Sequence, residues 1–385
     1  MNLTVCIPFS RGEVPIVHIR SDSSSDPRKE VACLYPRLLI DPGKVRENTV
    51  ELVRRAGKLG IGVFGVTKGF CADPVVARAM VEGGCGLLMD SRLKNLWRLR
   101  EAGFTEPLML LRIPMLSELE ELVDVADGTV ISMPETVLAL EKAASAAGKP
   151  MDVMVMADVG DLREGLWPDE MEAMGKTLAS CRRVRCMGIG TNIGCFGGVL
   201  PTPDNMNLLV ECRDSLAAGL GGPVEVVSGG ATSSLELVGN GQMPRQVNNL
   251  RIGEAILLGH NTSRMQAIPG LHRDAFVLEA EIVEVRTKPS KPIGLIGADA
   301  FGKVPVFEDR GRRLRAVAAV GKQDAKIDGL TPLDPGVSIL GASSDHLTLD
   351  VEDCPERPVR GDIVRFTLDY AAMLALATSP YVEKV

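Results

Sequence analysis

The sequence lacks several features that would assign it at once to a class of protein. Its nine cysteines include no CxxC pair, so neither a disulfide framework nor a zinc cluster is indicated. No apolar run approaches the ~20 residues of a membrane span, and the first residues lack the charged, apolar and small-residue order of a signal peptide. These absences predict a soluble protein of the reducing cytoplasm, with no bound metal and no membrane partner.

An excess of one charge is also lacking. The net charge is −7 over 385 residues, and acidic and basic residues are interspersed. Neither nucleic acid nor an anionic membrane is therefore expected as the principal partner, and a small-molecule substrate is favoured. The length exceeds that of a usual single domain, which favours either a large barrel with a smaller domain or two ordinary domains.

Residues 1–34 differ in composition from the rest of the chain. Their stretch "SDSSSDPRKE" is polar and predicts a flexible N-terminal extension, to which we assign no function.

Short apolar runs alternate with amphipathic stretches from Gly62 to Leu258. Eight such units favour a closed (β/α)8 barrel over an open doubly wound sheet. No GxGxxG follows the first run, which weakens a dinucleotide-binding interpretation. The runs are IGVFGVTK, GLLMDS, PLMLLR, GTVIS, MDVMVMADVG, RCMGIGTN, VEVVSGG and NNLRIGEAILLG.

After about residue 263 the pattern becomes β-rich, with Pro and Gly turns between short segments. We therefore predict an α/β protein with a barrel over residues 35–262 and a mostly β domain over residues 263–385. The early segment "RLLID" is available to the second domain, because the eight barrel strands follow it. The segments that indicate the β domain are AFVLEAEIVEVRT, RAVAAVGK, HLTLDVED and DIVRFTLDY.

Chemistry in such barrels gathers at the C-terminal ends of the strands, and polar residues stand at these ends here. Lys68 ends the first run, although lysine is seldom buried without a partner. It either extends to water or supplies an amine at the barrel mouth. Asp90 is expected to cap the helix that follows it. The polar residues at the ends are Lys68, Asp90, Arg112, Ser132, Asp158, Asn192, Ser228 and Arg251.

Two loops near the end of the barrel have the composition of a phosphate cradle. "SGGATSS" offers glycines and hydroxyls before a helix, and "RIGEA" offers backbone amides after the last strand. One such loop alone is usually only a turn. Two of them on consecutive strands, facing a lysine on the first strand, suggest pyridoxal 5′-phosphate, whose aldehyde forms a Schiff base with an amine.

Six segments in this order resemble the fold-type III pyridoxal phosphate enzymes related to alanine racemase, over residues 36–385. They are VTKGF, ADVGDLREGLWP, GIGTNIG, SGGATSS, NNLRIGEAILLG and DYAAMLALATSPYVEK. Four further segments are similar to the ornithine racemase group of that family, namely YPRLLID, TNIGCFGGV, GADAFGKVPVF and GASSDHLTLD.

The resemblance implies roles for individual residues. Lys68 would form the Schiff base and move one of the two protons. Arg251 would face the pyridine nitrogen, and Arg163 would lie near the phenolic oxygen of the cofactor or the substrate carboxylate. Asn192 would pack on the ring. The remaining cofactor contacts would come from Ser228, Thr232, Ser233, Gly253, Glu254 and Tyr370.

The sequence departs from the family at the second acid or base. Alanine racemases use a tyrosine that is donated across the dimer, and Ala298 stands about where that tyrosine would be. Asp299 is our first candidate for the role, because burial would raise its pKa. Cys195, close to Asn192, is the second candidate.

The implied activity is a pyridoxal phosphate-dependent racemase of ornithine or a similar basic amino acid, in a head-to-tail homodimer whose β domain covers the barrel mouth of the partner. A racemase of alanine or of broad specificity, a lyase or decarboxylase of the same fold, and a non-enzymatic cofactor-binding protein stay open as alternatives. The β domain disfavours the last. An acidic residue would receive a distal ammonium, and Glu254, Asp299 and Asp369 are unranked candidates. His346 is expected to be a hydrogen-bonded residue at the domain interface rather than a metal ligand.

Overall fold

This computed structural model describes residues 35–385. Strands and helices alternate through the first part of these residues. The extension predicted for residues 1–34 lies outside the described residues. In chain order the elements are β1 (Arg37–Ile40), α1 (Pro42–Gly57), β2 (Gly62–Val66), α2 (Pro74–Glu82), β3 (Leu88–Asp90), α3 (Leu93–Glu101), β4 (Leu108–Leu110), α4 (Leu119–Val125), β5 (Gly128–Ile131), α5 (Pro134–Ala147), β6 (Met151–Ala157), α6 (Met171–Ala179), β7 (Val184–Thr191), α7 (Pro203–Leu220), β8 (Val226–Ser228), α8 (Leu235–Gly239), β9 (Asn249–Ile252) and α9 (Glu254–Leu258).

Strands β2 to β9 form a closed parallel barrel, in which the first strand pairs with the last. Each of the eight strands overlaps one of the eight predicted apolar runs, so the predicted (β/α)8 barrel is confirmed. Several strands are buried on both faces, as β4 and β5 show. Parallel strands covered by helices on one side and by the barrel interior on the other require such continuous apolar runs.

The barrel interior has its own apolar cluster, built largely from methionine. Neighbouring residues on the same strands, such as Leu88 and Leu108, belong to the larger core beneath the helices. Because side chains alternate along a strand, the residues of the methionine-rich cluster point into the barrel. It consists of Leu87, Met89, Met109, Val130, Met154 and Met156.

The rest of the chain is mostly antiparallel β structure, as predicted. Its elements are β10 (His260–Asn261), β11 (Gln266–Ala267), β12 (Phe276–Pro289), β13 (Arg312–Ala318), β14 (Leu330–Pro332), β15 (Ser338–Ala342), β16 (Leu347–Asp350), β17 (Ile363–Leu368), α10 (Tyr370–Thr378) and β18 (Glu383–Lys384). The main sheet has the order β14-β17-β12-β13-β16-β15. Strands β12, β13, β16 and β17 overlap the β-rich segments read from the sequence.

Strand β1 belongs to this sheet rather than to the barrel, as its place before the eight barrel strands led us to expect. It pairs antiparallel with β12 and parallel with β18. Beneath it, the buried Glu279 accepts hydrogen bonds from Arg37 Nε at 2.6 Å and Arg365 Nε at 2.7 Å. The start and the end of the described chain are therefore held in one sheet.

Helix α10 carries the sheet domain onto the barrel mouth. A Cβ at Gly69 would lie 2.8 Å from Met373 Cε and 3.4 Å from a ring carbon of Tyr370, so the helix packs directly on the turn after β2. Any larger residue at position 69 would have to displace the end of the Met373 side chain. None of the helices in residues 35–385 is long and apolar enough to cross a membrane.

Candidate active site

A cavity of about 860 Å³ opens at the C-terminal ends of the barrel strands. This is the position at which barrel enzymes carry their active sites, and the volume is in the range of small-molecule and cofactor pockets. Twelve residues were given a catalytic or cofactor-binding role from the sequence, and all of them except Ser228 and Asp299 line the cavity. The ten that line it are Lys68, Arg163, Asn192, Cys195, Thr232, Ser233, Arg251, Gly253, Glu254 and Tyr370.

Lys68 begins the turn that follows β2. Burial lowers the pKa of its ammonium, and no described residue accepts a hydrogen bond from Nζ. The backbone after it is unusual, because Cys71 and Ala72 both have left-handed φ angles, of 55° and 50°. Arg98 Nη1 donates to the Cys71 carbonyl at 2.6 Å and fixes that turn. Such backbone conformations in residues other than glycine are typical of functional sites.

Arg251 is the penultimate residue of β9 and is buried at the floor of the cavity. Its Nη1 donates to Ser228 Oγ at 2.6 Å, and its Nη2 donates to the Thr191 carbonyl at 2.5 Å. Burial lowers the pKa of Arg251 to about 10, so the side chain stays charged at neutral pH. Glycine at position 190 leaves the necessary space, since a Cβ there would lie 2.8 Å from Arg251 Nη1.

One end of the cavity is lined by backbone amides and hydroxyls. Thr232 Oγ1 accepts from the Ala255 amide at 3.1 Å, which joins the two loops that follow β8 and β9. The amides of Ser233 and Glu254 donate to no described residue. Tyr370 also lines the cavity, and burial raises the pKa of its hydroxyl to about 12. The Ser233 hydroxyl donates to the Ile193 carbonyl at 2.8 Å, whereas no described residue accepts from these two amides or from the hydroxyls of Thr232 and Tyr370. Donors of this kind are what an anionic group requires.

A chain of side-chain contacts runs along the part of the wall that adjoins Ser233, whose hydroxyl donates to the Ile193 carbonyl. Glu164 accepts from Arg163 through both carboxylate oxygens, and from Asn192 Nδ2 at 2.9 Å. Asn192 Oδ1 in turn accepts from Cys195 Sγ at 3.6 Å. Sequence reasoning named the other three residues and missed Glu164, although its place directly after Arg163 was a usable signal.

The loop that carries Asn192 and Cys195 folds around the carboxylate of Asp161, another residue that sequence reasoning missed. Asp161 is buried and accepts four backbone N–H groups at 3.0–3.3 Å. Burial alone would raise its pKa, but these donors outweigh it and the pKa is lowered. The four donors are the amides of Gly194, Cys195, Phe196 and Val199.

Asp299 lies outside the cavity, in the loop between β12 and β13. Its carboxylate accepts from the amides of Phe301 and Lys303, both at 2.9 Å. These donors lower the pKa of Asp299, so our expectation that burial raises its pKa is wrong. Ser228 lies behind the cavity wall and contacts Arg251 rather than the cavity.

Two other residues considered from the sequence have structural surroundings. Asp90 is buried and accepts from Thr67 Oγ1 at 2.7 Å and from the Arg92 amide at 2.9 Å. The expectation that it caps the following helix is wrong, because α3 begins at Leu93 after Arg92 and has no side-chain cap. His346, expected at a domain interface, lies in the exposed turn between β15 and β16. Within residues 35–385 no cluster of three or more His, Cys, Asp or Glu side chains is placed to hold a metal ion.

The cavity at the mouth of the (β/α)8 barrel combines the amine of Lys68 with anion donors on the loops after β8 and β9. Together with the added β domain, this arrangement is that of a barrel enzyme with an anionic cofactor or substrate. The chain matches the family described as alanine racemase, N-terminal domain, over residues 40–261. It is 42% identical to the lysine racemase of Thermotoga maritima over 352 residues, 91% of this chain and 98% of that protein. It is 40% identical to the ornithine racemase of Acetoanaerobium sticklandii over 352 residues, 91% of this chain and 99% of that protein.

The fold is likewise that of solved alanine racemases. The alanine racemase of Streptomyces lavendulae superposes with a TM-score of 0.72 at 20% identity, over 91% of this chain and 96% of that chain. The chain therefore belongs to the alanine racemase N-terminal domain family, and the resemblance drawn from its six segments is confirmed.

Membership of this family implies a pyridoxal 5′-phosphate cofactor, and the residues of the cavity fit one. The cofactor carries an aldehyde and a phosphate. The cavity offers an amine without a partner at Lys68 and, on the loops after β8 and β9, amides without an acceptor among the described residues. Its lining is also rich in cations, which suits an anionic ligand.

Proposed function

We propose that this protein is a pyridoxal phosphate-dependent racemase of a basic amino acid such as ornithine or lysine. Two relatives with these activities, each at least 40% identical over 91% of the chain, support the substrate class. The observation that carries the proposal is the amine of Lys68, which is half-buried in the cavity wall without a hydrogen-bond partner among residues 35–385. Burial lowers the pKa of this amine and so favours the neutral form that acts as a nucleophile and base.

Bound pyridoxal phosphate would supply a conjugated ring that stabilises negative charge at the substrate Cα. Lys68 would hold the aldehyde carbon of the cofactor and move a proton at Cα. Thr232, Ser233, Tyr370 and the amides of Gly253 and Glu254 would hold the phosphate.

Two arginines would orient the bound groups. Arg251, fixed by Ser228 and Thr191, would face the ring nitrogen, where a buried cation disfavours protonation. Arg163 would bind the substrate carboxylate, and Asn192 would pack beside the ring.

A racemase also needs an acid or base on the face of Cα opposite Lys68. Cys195 is supported for this role by its place in the cavity wall and its hydrogen bond to Asn192. Asp299 could serve only if a second copy of the chain brought it to the cavity, because in its own chain it caps a loop.

A homodimer is the second part of the proposal. The loop of residues 290–311 that holds Asp299 exposes large apolar side chains, including Ile293, Leu295 and Val306, which are 91%, 106% and 95% exposed. Exposed apolar patches of this kind mark interaction sites. A head-to-tail arrangement would place this loop over the barrel mouth of the partner and exclude water from the reacting Cα. A cytoplasmic location is proposed from the cysteine pattern.

The function is tested by incubating the enzyme with pyridoxal phosphate in deuterated water and a panel of L- and D-amino acids. We expect deuterium at Cα together with inversion for ornithine or lysine. Release of carbon dioxide or of an aldehyde would instead identify a lyase, and absence of turnover would identify a cofactor-binding protein. Borohydride reduction followed by peptide mapping must attach the cofactor to Lys68, and attachment elsewhere would contradict the proposal.

A further inference from the structure

Glu164 is a carboxylate in a cavity whose charged lining is mostly positive. Its side chain is 22% exposed. Its negative charge favours the charged forms of both Lys68 and Arg251, which places it among the groups proposed for the chemistry. The lining cations are Lys68, Arg92, Arg112, Arg163 and Arg251, and the lining carboxylates are Glu164 and Glu254.

The other carboxylates weighed from the sequence as partners for a distal ammonium are bound to the protein itself. Glu254 Oε1 accepts from the amide of Thr262 at 3.0 Å and from its hydroxyl. Asp369 caps α10 by accepting from the Ala372 amide at 2.7 Å. Glu164 differs, because its partners are the side chains of Arg163 and Asn192, which line the cavity. A bound ligand can therefore compete for these hydrogen bonds.

The contacts of Glu164 leave room for one more donor. A carboxylate has about four acceptor positions. Arg163 Nη2 and Asn192 Nδ2 occupy both acceptor positions of Oε1, whereas Oε2 contacts only Arg163 Nε. Oε2 of Glu164, a residue of the cavity lining, can therefore accept one more hydrogen bond.

Substrate binding changes this balance. The proposed function assigns Arg163 to the substrate carboxylate, and each hydrogen bond that Arg163 transfers to the substrate is lost by Glu164. A partly buried carboxylate without a cation is unfavourable. A substrate with an ammonium at the end of its side chain replaces the lost cation, whereas an uncharged side chain does not.

We propose that Glu164 selects for a basic side chain by exchanging ionic partners. When the substrate carboxylate binds Arg163, the distal ammonium of the same substrate binds Glu164. A neutral amino acid is rejected because it takes Arg163 and leaves Glu164 with the neutral Asn192 but without a cation, which is discrimination by an unfavourable contact. This inference rests on the proposed racemase function and deepens it.

The test compares Glu164→Gln with the wild type on ornithine and on norvaline, which has the same carbon chain without the ammonium. Steady-state Cα deuterium exchange gives kcat/KM, and calorimetry with the pyridoxal phosphate-loaded enzyme gives the affinity for each amino acid. For ornithine we expect kcat/KM and affinity to fall roughly 10- to 100-fold, the range of a hydrogen bond between charged groups. For norvaline we expect both to stay equal or to rise.

A second variant and a control complete the experiment. Glu164→Asp keeps the charge but withdraws it by one methylene, so the preference should shift from ornithine toward the longer lysine by about threefold or more. Glu101→Gln, at an exposed glutamate at the end of α3, should change neither kcat/KM nor affinity for ornithine or norvaline.

Equal losses for ornithine and norvaline in Glu164→Gln would overturn the proposal, because Glu164 would then act only by holding Arg163. Unchanged selectivity in both Glu164 variants would overturn it as well. If Glu164→Gln fails to fold, the substrate preference of Glu164→Asp decides. A wild-type enzyme that exchanges neither amino acid would refute the proposed function, and the calorimetric preference for ornithine would still decide on Glu164.

Discussion

Single residues at the barrel mouth are placed for binding rather than for stability. The ammonium of Lys68 is half-buried without a hydrogen-bond partner in the described chain, and Arg251 is buried at the cavity floor. Both are charged groups in surroundings that disfavour charge. Proteins retain such residues where a ligand supplies the missing partner. The cofactor-free protein should therefore have a lower free energy of unfolding than a variant in which the charged residue is replaced by an apolar one.

Replacing Lys68 with methionine should therefore stabilise the cofactor-free protein at neutral pH by roughly 1–3 kcal/mol, the usual cost of an unpaired buried polar group. Because burial lowers the pKa of Lys68 in the folded state, the unfolded chain, whose lysines titrate near about 10.4, binds that proton more tightly. The cost of Lys68 is thus present below the lowered folded pKa and disappears as the pH rises toward the unfolded value. Chemical denaturation from pH 7 to pH 10 measures the difference.

The comparison needs a matched control. Lys142→Met, at an exposed lysine on α5, should show no gain at any of these pH values. A Lys68→Met protein that is less stable than the wild type at neutral pH would show that the amine has a structural partner.

At the same scale, the sequence predicted residues that end strands and missed residues that depend on loop geometry. Lys68 and Arg251 could be placed because a strand end in a closed barrel always faces the mouth. Asp161 could not, because its partners lie 33–38 residues further along the chain and are backbone amides without a sequence signal. Asp299 was misjudged because local turn contacts, which composition does not reveal, determine its pKa.

At the scale of the structural element, the loop after β7 is organised by one carboxylate. Asp161 gathers four amides of a glycine-rich stretch that has no regular secondary structure of its own. Gly194 has a φ of 82° and lies where a Cβ would be 3.0 Å from Ser263 Oγ, so the loop also packs closely on the next turn. The positions of Asn192 and Cys195 thus depend on a residue that lies outside the cavity wall.

Asp161→Asn should loosen this loop while leaving the barrel intact. The amide offers one acceptor oxygen in place of two, so at least one buried N–H loses its partner, at about 1–3 kcal/mol. We expect lower stability in denaturant and faster alkylation of Cys195 by iodoacetamide, read by peptide mass spectrometry. The exposed Asp169→Asn is the control. Unchanged Cys195 reactivity in Asp161→Asn would refute this account of the loop.

Elements were predicted unevenly, for a physical reason. The eight barrel strands were found because burial on both faces gives each a continuous apolar run. Strands β14, β15 and β18 were missed, since they have two to five residues and lie partly exposed, so that pairing with neighbours rather than composition makes them strands.

At the scale of the whole molecule, the described chain leaves its most apolar exposed loop beside the sheet. The side chains of the 290–311 loop that are exposed by nine-tenths or more belong to Ile293, Leu295 and Val306. A monomer gains nothing from this arrangement, whereas a symmetric pair of chains can bury both loops at once.

Leu295→Asp together with Val306→Asp should convert the proposed dimer into a monomer and lower racemase activity by at least about tenfold. The reason is that burying two carboxylates in an apolar interface is unfavourable. Sedimentation velocity over a range of concentrations measures the oligomeric state. Leu138→Asp, at an exposed leucine on α5, serves as the control. A wild-type protein that sediments as a monomer at all concentrations would contradict the dimer.

The pairing of β1 with β18 has a mechanical consequence. Arg37 lies opposite Glu383 in a parallel register, so the two outermost strands of the described chain run in the same direction, side by side. A force that draws the two ends apart therefore pulls along both strands and loads their hydrogen bonds in shear, all together rather than one after another. The hydrogen bonds between β1 and β18 must therefore break before any tension reaches the barrel.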